Sequence, residues 1–217
     1  MPPAGDITSP QRNRSHRRRV LTAVTAAAVV ATALGLGLFW THGAHRGPTA
    51  TGGTSTAFAW FQPGAQPAGW VQRSLPDREA RLSYPPTLDP QRSDPGSVSV
   101  GLTSGAGAVL VYLNVTPRQG AETLADWADF RVAHLREETA RAVRRTAVGT
   151  GLHFRGGVGS CVVDEYTTRV HANTYEEIAC LVQGRHGASV LVAATLRAAW
   201  ATYSGLVQRV VSAFQVS

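Results

Sequence analysis

The sequence predicts an α+β domain, in which helices pack against an antiparallel sheet, behind an N-terminal transmembrane helix. Three observations lead to this. Arg17, Arg18 and Arg19 run directly into an uncharged apolar stretch at residues 20–40. Beyond residue 69, several short alternating segments are separated by turn residues, which is the pattern of strands joined by hairpins. Two longer segments carry apolar residues at helical spacing, which indicates helices that pack on that sheet.

Residues 20–40 have the length and composition of a membrane-spanning helix. These 21 residues include no charge and no proline, and a bilayer core requires about 20 helical residues. The preceding arginines favour the cytoplasmic side, so the C-terminal domain is predicted to lie outside. A cleaved signal, with a shorter apolar run of about 7–15 residues, is the alternative. A twin-arginine signal fits loosely, and lipidation of an N-terminal cysteine is excluded because the first cysteine is Cys161.

The formal charge of +7 is concentrated at the N terminus. Residues 1–46 contain six arginines and one acid, whereas the remainder contains 15 arginines and 13 acids. A nucleic-acid-binding protein would carry a basic stripe on its folded domain. The basicity therefore indicates membrane topology, and we expect no nucleic acid partner.

Polar segments flank the predicted span. Residues 1–19 are predicted to form a disordered cytoplasmic tail, because they are rich in Pro, Ser and Arg. Residues 41–68, rich in Gly, Thr, Ala and Pro, are predicted to be a flexible linker with a reach of about 30 Å. The aromatic run 57–61 interrupts this linker. It is expected either to pack on the domain as a short strand or turn, or to contact the membrane interface.

The extracytoplasmic domain is predicted to span residues 69–217. Its strands are expected from alternation, β-branched content and the turn residues between them. They fall at residues 70–75, 80–84, 97–102, 109–115, 152–155, 160–170, 175–182 and 188–196.

Two helices complete the predicted domain. The first covers residues 122–146, with Thr123 and Asp126 as a capping pair at its start. Its apolar stripe consists of Leu124, Ala128, Val132, Leu135, Ala142 and Val143, and its C-terminal arginines are Arg141, Arg144 and Arg145. The second lies near residues 202–214 and has an apolar stripe with the period of a core-facing helix.

The two cysteines, Cys161 and Cys180, lie in adjacent predicted strands. A hairpin centred between Val170 and His171 places them directly opposite each other, where Cβ atoms are about 4.5–5.5 Å apart. In an oxidising compartment, this arrangement predicts a disulfide. Two buried free thiols are the alternative.

The same register brings four carboxylates together, and we call them the acidic hairpin: Asp164, Glu165, Glu176 and Glu177. Asp164 is expected opposite Glu177, and Glu165 opposite Glu176. Like charges across a strand pair cost free energy, so arginine, solvent or a hard cation such as Ca²⁺ must offset them. Arg155 and Arg169 are the arginines nearest in sequence. We expect an interaction or ion site at most, without a catalytic residue, cofactor or tightly bound metal.

The order of these elements resembles a known family. The cues are Gly69-Trp70, Ser83-Tyr84-Pro85-Pro86, Asn114-Val115-Thr116-Pro117, Trp127, Gly156-Gly157, Trp200 and Ser212-Ala213-Phe214. In this order they resemble the PsbP-like α/β/α sandwich, a fold also found in LpqN-type actinobacterial envelope lipoproteins. The resemblance implies a domain that is mainly a non-enzymatic binder or assembly factor.

The sequence thus predicts a single-pass signal-anchor protein with its N terminus in the cytoplasm and a non-catalytic binding or assembly domain at the cell envelope. Its expected partners are the membrane and an envelope protein or ligand. One alternative is an envelope hydrolase or metal-dependent enzyme that uses the acidic hairpin. The other is a transmembrane sensor that signals through its arginine-rich tail.

Overall fold

The computed structural model describes residues 56–138 and 140–217, in which ten strands and two α-helices form. The strands are β1 (Val71–Ser74), β2 (Ala80–Tyr84), β3 (Asp89–Pro90), β4 (Val98–Thr103), β5 (Val109–Pro117), β6 (Ala140–Phe154), β7 (Gly157–Thr168), β8 (Thr174–Gln183), β9 (Ala188–Leu196) and β10 (Gln215–Val216). The helices are α1 (Trp127–Glu138) and α2 (Trp200–Ala213).

The predicted tail at 1–19, the predicted span at 20–40 and the first part of the predicted linker, 41–55, lie outside the described residues. Within the described part of the chain, no helix has the length and apolar character needed to cross a membrane.

The strands form two antiparallel sheets. The large sheet has seven strands in the order β3-β4-β5-β9-β8-β7-β6, and the small sheet has three in the order β1-β2-β10. The predicted α+β class with antiparallel pairing is confirmed. The hairpins β7–β8 and β8–β9 place three long strands side by side at the centre of the large sheet.

Each face of the large sheet covers a separate core. On the α2 face, Cys161, Val163 and their neighbours pack with α2 and the small sheet. On the α1 face, Val162 and Ala179 pack with Trp127 of α1. Side chains of one strand alternate between these two cores, because successive residues of a strand point to opposite faces.

Helix α2 confirms the prediction made from its apolar stripe. Val207, Val210 and Val211 are fully buried, and Phe214 follows the helix into the same core. Phe214 also meets the ring of Phe154 edge-on, with 6.2 Å between ring centroids.

The prediction of one helix over residues 122–146 is wrong at its start and in its second half, since α1 begins only at Trp127. The capping pair is present, since the Thr123 amide donates to Asp126 Oδ1 at 2.6 Å and the Asp126 amide donates to Thr123 Oγ1 at 3.4 Å. The helix ends at Glu138, and the residues from Ala140 onward pair with β7 as the edge strand β6. The edge of β7 offers these residues backbone hydrogen-bond partners, and this pairing overrides the helical spacing of their apolar side chains.

The aromatic run within the predicted linker packs on the domain. Phe58 is buried in the α2-face core, and Phe61 lies against Phe154 with 4.7 Å between ring centroids. The Gly64 amide donates to the Ser212 carbonyl at 2.9 Å. The chain is therefore part of the domain from the first described residues, ahead of residue 69.

Candidate functional site

The β7–β8 hairpin has the predicted register. Cys161 pairs with Cys180 and forms a disulfide with it, as predicted, and both residues are fully buried on the α2 face. Their Cα atoms are 4.0 Å apart. The disulfide therefore joins adjacent strands at the centre of the large sheet.

The register also forms both expected carboxylate pairs, Asp164 with Glu177 and Glu165 with Glu176. Strand alternation sends the two pairs to opposite faces. The pair Asp164–Glu177 lies on the α1 face, whereas the pair Glu165–Glu176 lies on the other face near the ends of the strands. The acidic hairpin therefore consists of two separate sites with two carboxylates each.

Arg131 neutralises the pair on the α1 face. It projects from α1 and donates through Nε and Nη2 to Glu177 Oε1, at 2.7 and 2.6 Å. Glu177 has no solvent exposure, and only 14% of the Arg131 side chain is exposed. Hydrogen bonds between ionised groups are short and strong in such surroundings, so this contact ties α1 to the centre of the sheet.

Asp164 is the unusual member of the group. It is fully buried, and neither of its carboxyl oxygens has a hydrogen-bond partner. Burial and the negative charge of Glu177 raise the pKa of Asp164 to about 8, against the opposing effect of Arg131. Asp164 is therefore largely protonated at neutral pH, when Arg131, Glu177 and Asp164 together carry no net charge.

Tyrosines surround this buried group. Burial raises the pKa of Tyr166 and of Tyr112, and the charge of Glu177 acts in the same direction on both phenols. Tyr166 stacks on Tyr175 with 5.8 Å between ring centroids. The Tyr112 hydroxyl is 3.2 Å from Ser99 Oγ. With their pKa values raised, the phenols of Tyr166 and Tyr112 stay neutral at neutral pH.

The pair on the opposite face is partly exposed, with 25% of the Glu165 side chain and 16% of the Glu176 side chain accessible, and it shares Arg197. This residue follows β9 and donates through Nε to Glu165 Oε2 at 2.8 Å, while its Nη1 lies 3.0 Å from Glu176 Oε2. Arg144 of β6 approaches Glu165 Oε1 at 3.5 Å. Burial raises the pKa of Glu176, and Arg197 opposes this rise.

Arginine is thus the counter-charge, as expected, but the arginines differ from the two nearest in sequence. Arg169 donates to the carbonyls of Ala140 and Arg136 at the end of α1, and Arg155 forms a backbone bridge with Gln215. The sequence contains one indication that Arg131 is such a partner. Arg131 lies four residues after Trp127 and four before Leu135, on the apolar side of α1. A lone arginine at such a position indicates a buried acidic partner.

In the described ranges, no three or more His, Cys, Asp or Glu side chains are grouped so as to hold a metal ion. The absence of a tight metal site and of catalysis stays a prediction. The arrangement offers two carboxylate–arginine clusters, one enclosed and one solvated.

No protein-family model matches the chain, and no curated protein matches it in sequence. Its structure is similar to that of cyanobacterial PsbP from Synechocystis sp. PCC 6803, with a TM-score of 0.46, 15% identity, and coverage of 71% of this chain and 96% of that one. It is also similar to LpqN of Mycobacterium tuberculosis, described as involved in cell envelope biogenesis, with a TM-score of 0.38, 12% identity, and coverage of 68% and 90%. A Pseudomonas aeruginosa protein of unknown function matches with a TM-score of 0.41, 11% identity, and coverage of 64% and 90%. PsbP and LpqN, whose families the sequence resembles, are thus both among the structural matches, and no activity, ligand or partner is carried over from them.

Proposed function

We propose that this chain is a single-pass, membrane-anchored extracytoplasmic protein whose domain is a non-catalytic binding or assembly module at the cell envelope. The observation that carries the location is the uncharged apolar run at 20–40 directly after Arg17, Arg18 and Arg19. The disulfide between Cys161 and Cys180 supports it, because such bonds persist in oxidising compartments outside the cytoplasm.

The contacts of the acidic hairpin support a non-catalytic role. Glu177, Glu165 and Glu176 each bond to an arginine, and those arginines come from α1, β6 and the turn after β9. A carboxylate that acts as a general acid or base needs access to a substrate. Asp164, the remaining carboxylate, is enclosed beneath α1. The hairpin is thus used to hold elements of the fold together.

Membrane fractions of the native host would test the location. After alkaline extraction, mass analysis of the full-length protein should recover residues 20–40, and external protease should cleave the region between the span and the domain. A soluble mature product that lacks 20–40 would contradict the anchor. Deletion of residues 1–16 with the span intact should leave function unchanged, whereas loss of function would favour the sensor.

The non-catalytic role requires a separate test. The double variant Glu165→Gln with Glu176→Gln should complement a deletion strain as well as the wild type does, at equal protein level. A loss of complementation with an unchanged fold would favour the envelope hydrolase. Crosslinking of the full-length protein in native membranes, followed by affinity capture, should then identify the binding partner.

A further inference from the structure

Asp164 lies beside an arginine that is paired with a different acid. In the pairing of β6 with β7, Arg145 is directly opposite Asp164. The two side chains therefore leave adjacent strands on the same face, with Cβ atoms about 4.5–5.5 Å apart. Both carboxyl oxygens of Asp164 are nevertheless without a hydrogen-bond partner. The guanidinium of Arg145 contacts the carboxylate of Asp129 on α1 instead.

The contact between Arg145 and Asp129 is a surface ion pair. Of these side chains, 44% of Arg145 and 83% of Asp129 are exposed, and water screens such pairs so that they contribute little to stability. An ionised carboxylate that is buried without a partner is much more unfavourable. Arg145 thus pairs with the more exposed of two neighbouring acids, and this arrangement is the favourable one only while Asp164 is protonated.

The surroundings of Arg145 leave room for a second arrangement. A groove of about 420 Å³ separates α1 from β6, and both Asp129 and Arg145 line it. The pairing of β6 with β7 shifts between Arg141 and Arg144, and again between Arg145 and Ala147. Such irregularities re-aim side chains at sheet edges. Because β6 is the last strand of the large sheet, the Arg145 side chain can turn without displacing another strand.

The elements packed around Asp164 each bring charged or titratable side chains to this region. They are Glu177 and Tyr175 of β8, Arg131 and Asp129 of α1, Arg145 of β6, Tyr166 of β7 and Tyr112 of β5. Arg131 already donates through two nitrogens to Glu177. In the described part of the chain, Arg145 is therefore the cation that can approach Asp164 without leaving Glu177 unpaired.

We propose that Arg145 exchanges partners when Asp164 releases its proton to solvent, leaving Asp129 on α1 and pairing with Asp164 on β7. The exchange breaks the ion pair that joins the rim of α1 to β6, while Arg131 continues to hold α1 at Glu177. Since the pKa of Asp164 is about 8, the contact between α1 and β6 responds to weakly alkaline pH. The exchange requires neither the membrane anchor nor a ligand, and it therefore goes beyond the proposed function.

The test is a carbon-13 NMR titration of the Asp carboxyl groups, recorded on the full chain in micelles of an uncharged detergent from pH 5 to 10. The variants Asp164→Asn and Asp129→Asn assign the two resonances. In the wild type, the Asp129 resonance should shift at the pH where Asp164 ionises, because its arginine leaves. Arg145→Gln should abolish that shift and raise the proton affinity of Asp164 at least about tenfold, because the ionised form then lacks its partner.

Arg144→Gln is the matched control. Arg144 is the neighbouring exposed arginine, but it contacts Glu165 on the opposite face, so its loss should leave the proton affinity of Asp164 unchanged. Arg145→Lys should keep most of the wild-type behaviour, because it retains the charge. The exchange is overturned if the Asp129 resonance does not move with the ionisation of Asp164, or if Arg145→Gln and Arg144→Gln have equal effects. An Asp164 resonance that does not titrate between pH 5 and 10 would overturn it as well.

Discussion

Asp164 and Glu177 face each other across β7 and β8, both closed to solvent, and a single arginine serves the pair. Two ionised carboxylates that are adjacent and buried would repel each other strongly. Protonation of Asp164 removes that repulsion and leaves Arg131 to pair with Glu177. The centre of the α1 face is therefore stable in one protonation state, and this makes its stability dependent on pH.

Stability should fall as pH rises through the neutral range. The pKa of Asp164 is about 8 in the folded protein, against about 4 when unfolded. A raised pKa means that the folded state binds the proton more tightly, so its stabilising contribution is complete below pH ~4 and lost as pH approaches ~8. The slope is at most about 1.4 kcal/mol per pH unit. Asp164→Asn should flatten this dependence in denaturant unfolding measured from pH 5 to 9.

The stability of Asp164→Asn, compared with that of the wild type at two pH values, tests this prediction directly. At pH 5, about one unit above the pKa of Asp164 in the unfolded chain, Asp164→Asn should exceed the wild type in stability by about 1.4 kcal/mol at most. At pH 9 the difference should be larger, because the amide cannot ionise. Equal pH slopes for the two proteins would contradict the protonated state of Asp164.

Removing Arg131 should destabilise the domain severely. Arg131→Met leaves the charge of Glu177 buried without a partner, which costs about 3–5 kcal/mol. The double variant Arg131→Met with Glu177→Gln should recover much of this loss. Arg197→Met is the matched control: about half of the Arg197 side chain is exposed, so its loss should cost about 1 kcal/mol or less. Chemical denaturation would contradict this account if both single variants lost the same stability.

The disulfide should contribute substantially to stability. Cys161 and Cys180 close a loop with a sequence separation of 19 residues, which the chain-entropy model values at about 3 kcal/mol. The double variant Cys161→Ala with Cys180→Ala should lose about 2–5 kcal/mol in denaturant unfolding. Non-reducing mass mapping of the exported protein should find the two cysteines linked, and two thiols open to alkylation would count against this.

The sequence was sufficient to predict those features of the site that depend on the local geometry of one hairpin. A hairpin centred between Val170 and His171 has a single register, and that register pairs Cys161 with Cys180 and places Asp164 opposite Glu177. Strand alternation then separated the four carboxylates into two pairs. Their arginine partners were not predictable from sequence distance, because Arg131 and Arg197 reach the hairpin from elements 46 and 32 residues away.

The local sequence pattern predicted the wrong secondary structure where pairing with another strand decided it. Ala142 and Val143 have the spacing of a helix, yet they belong to β6 because β7 offers an unpaired edge. Ala142 adopts a φ of 53°, which a helix would not contain.

The acidic hairpin should bind no metal tightly. A calcium site requires about six to eight oxygens. Each face of the hairpin presents only two carboxylates, and an arginine already lies beside them. Calorimetry of the full chain with Ca²⁺, Mg²⁺ and Zn²⁺ should show no binding in the low micromolar range. Arg197→Gln should also bind no metal tightly. The substitution removes the guanidinium but adds only one amide oxygen as a possible ligand. Micromolar affinity that Glu165→Gln with Glu176→Gln abolishes would show instead that the solvated pair is an ion site.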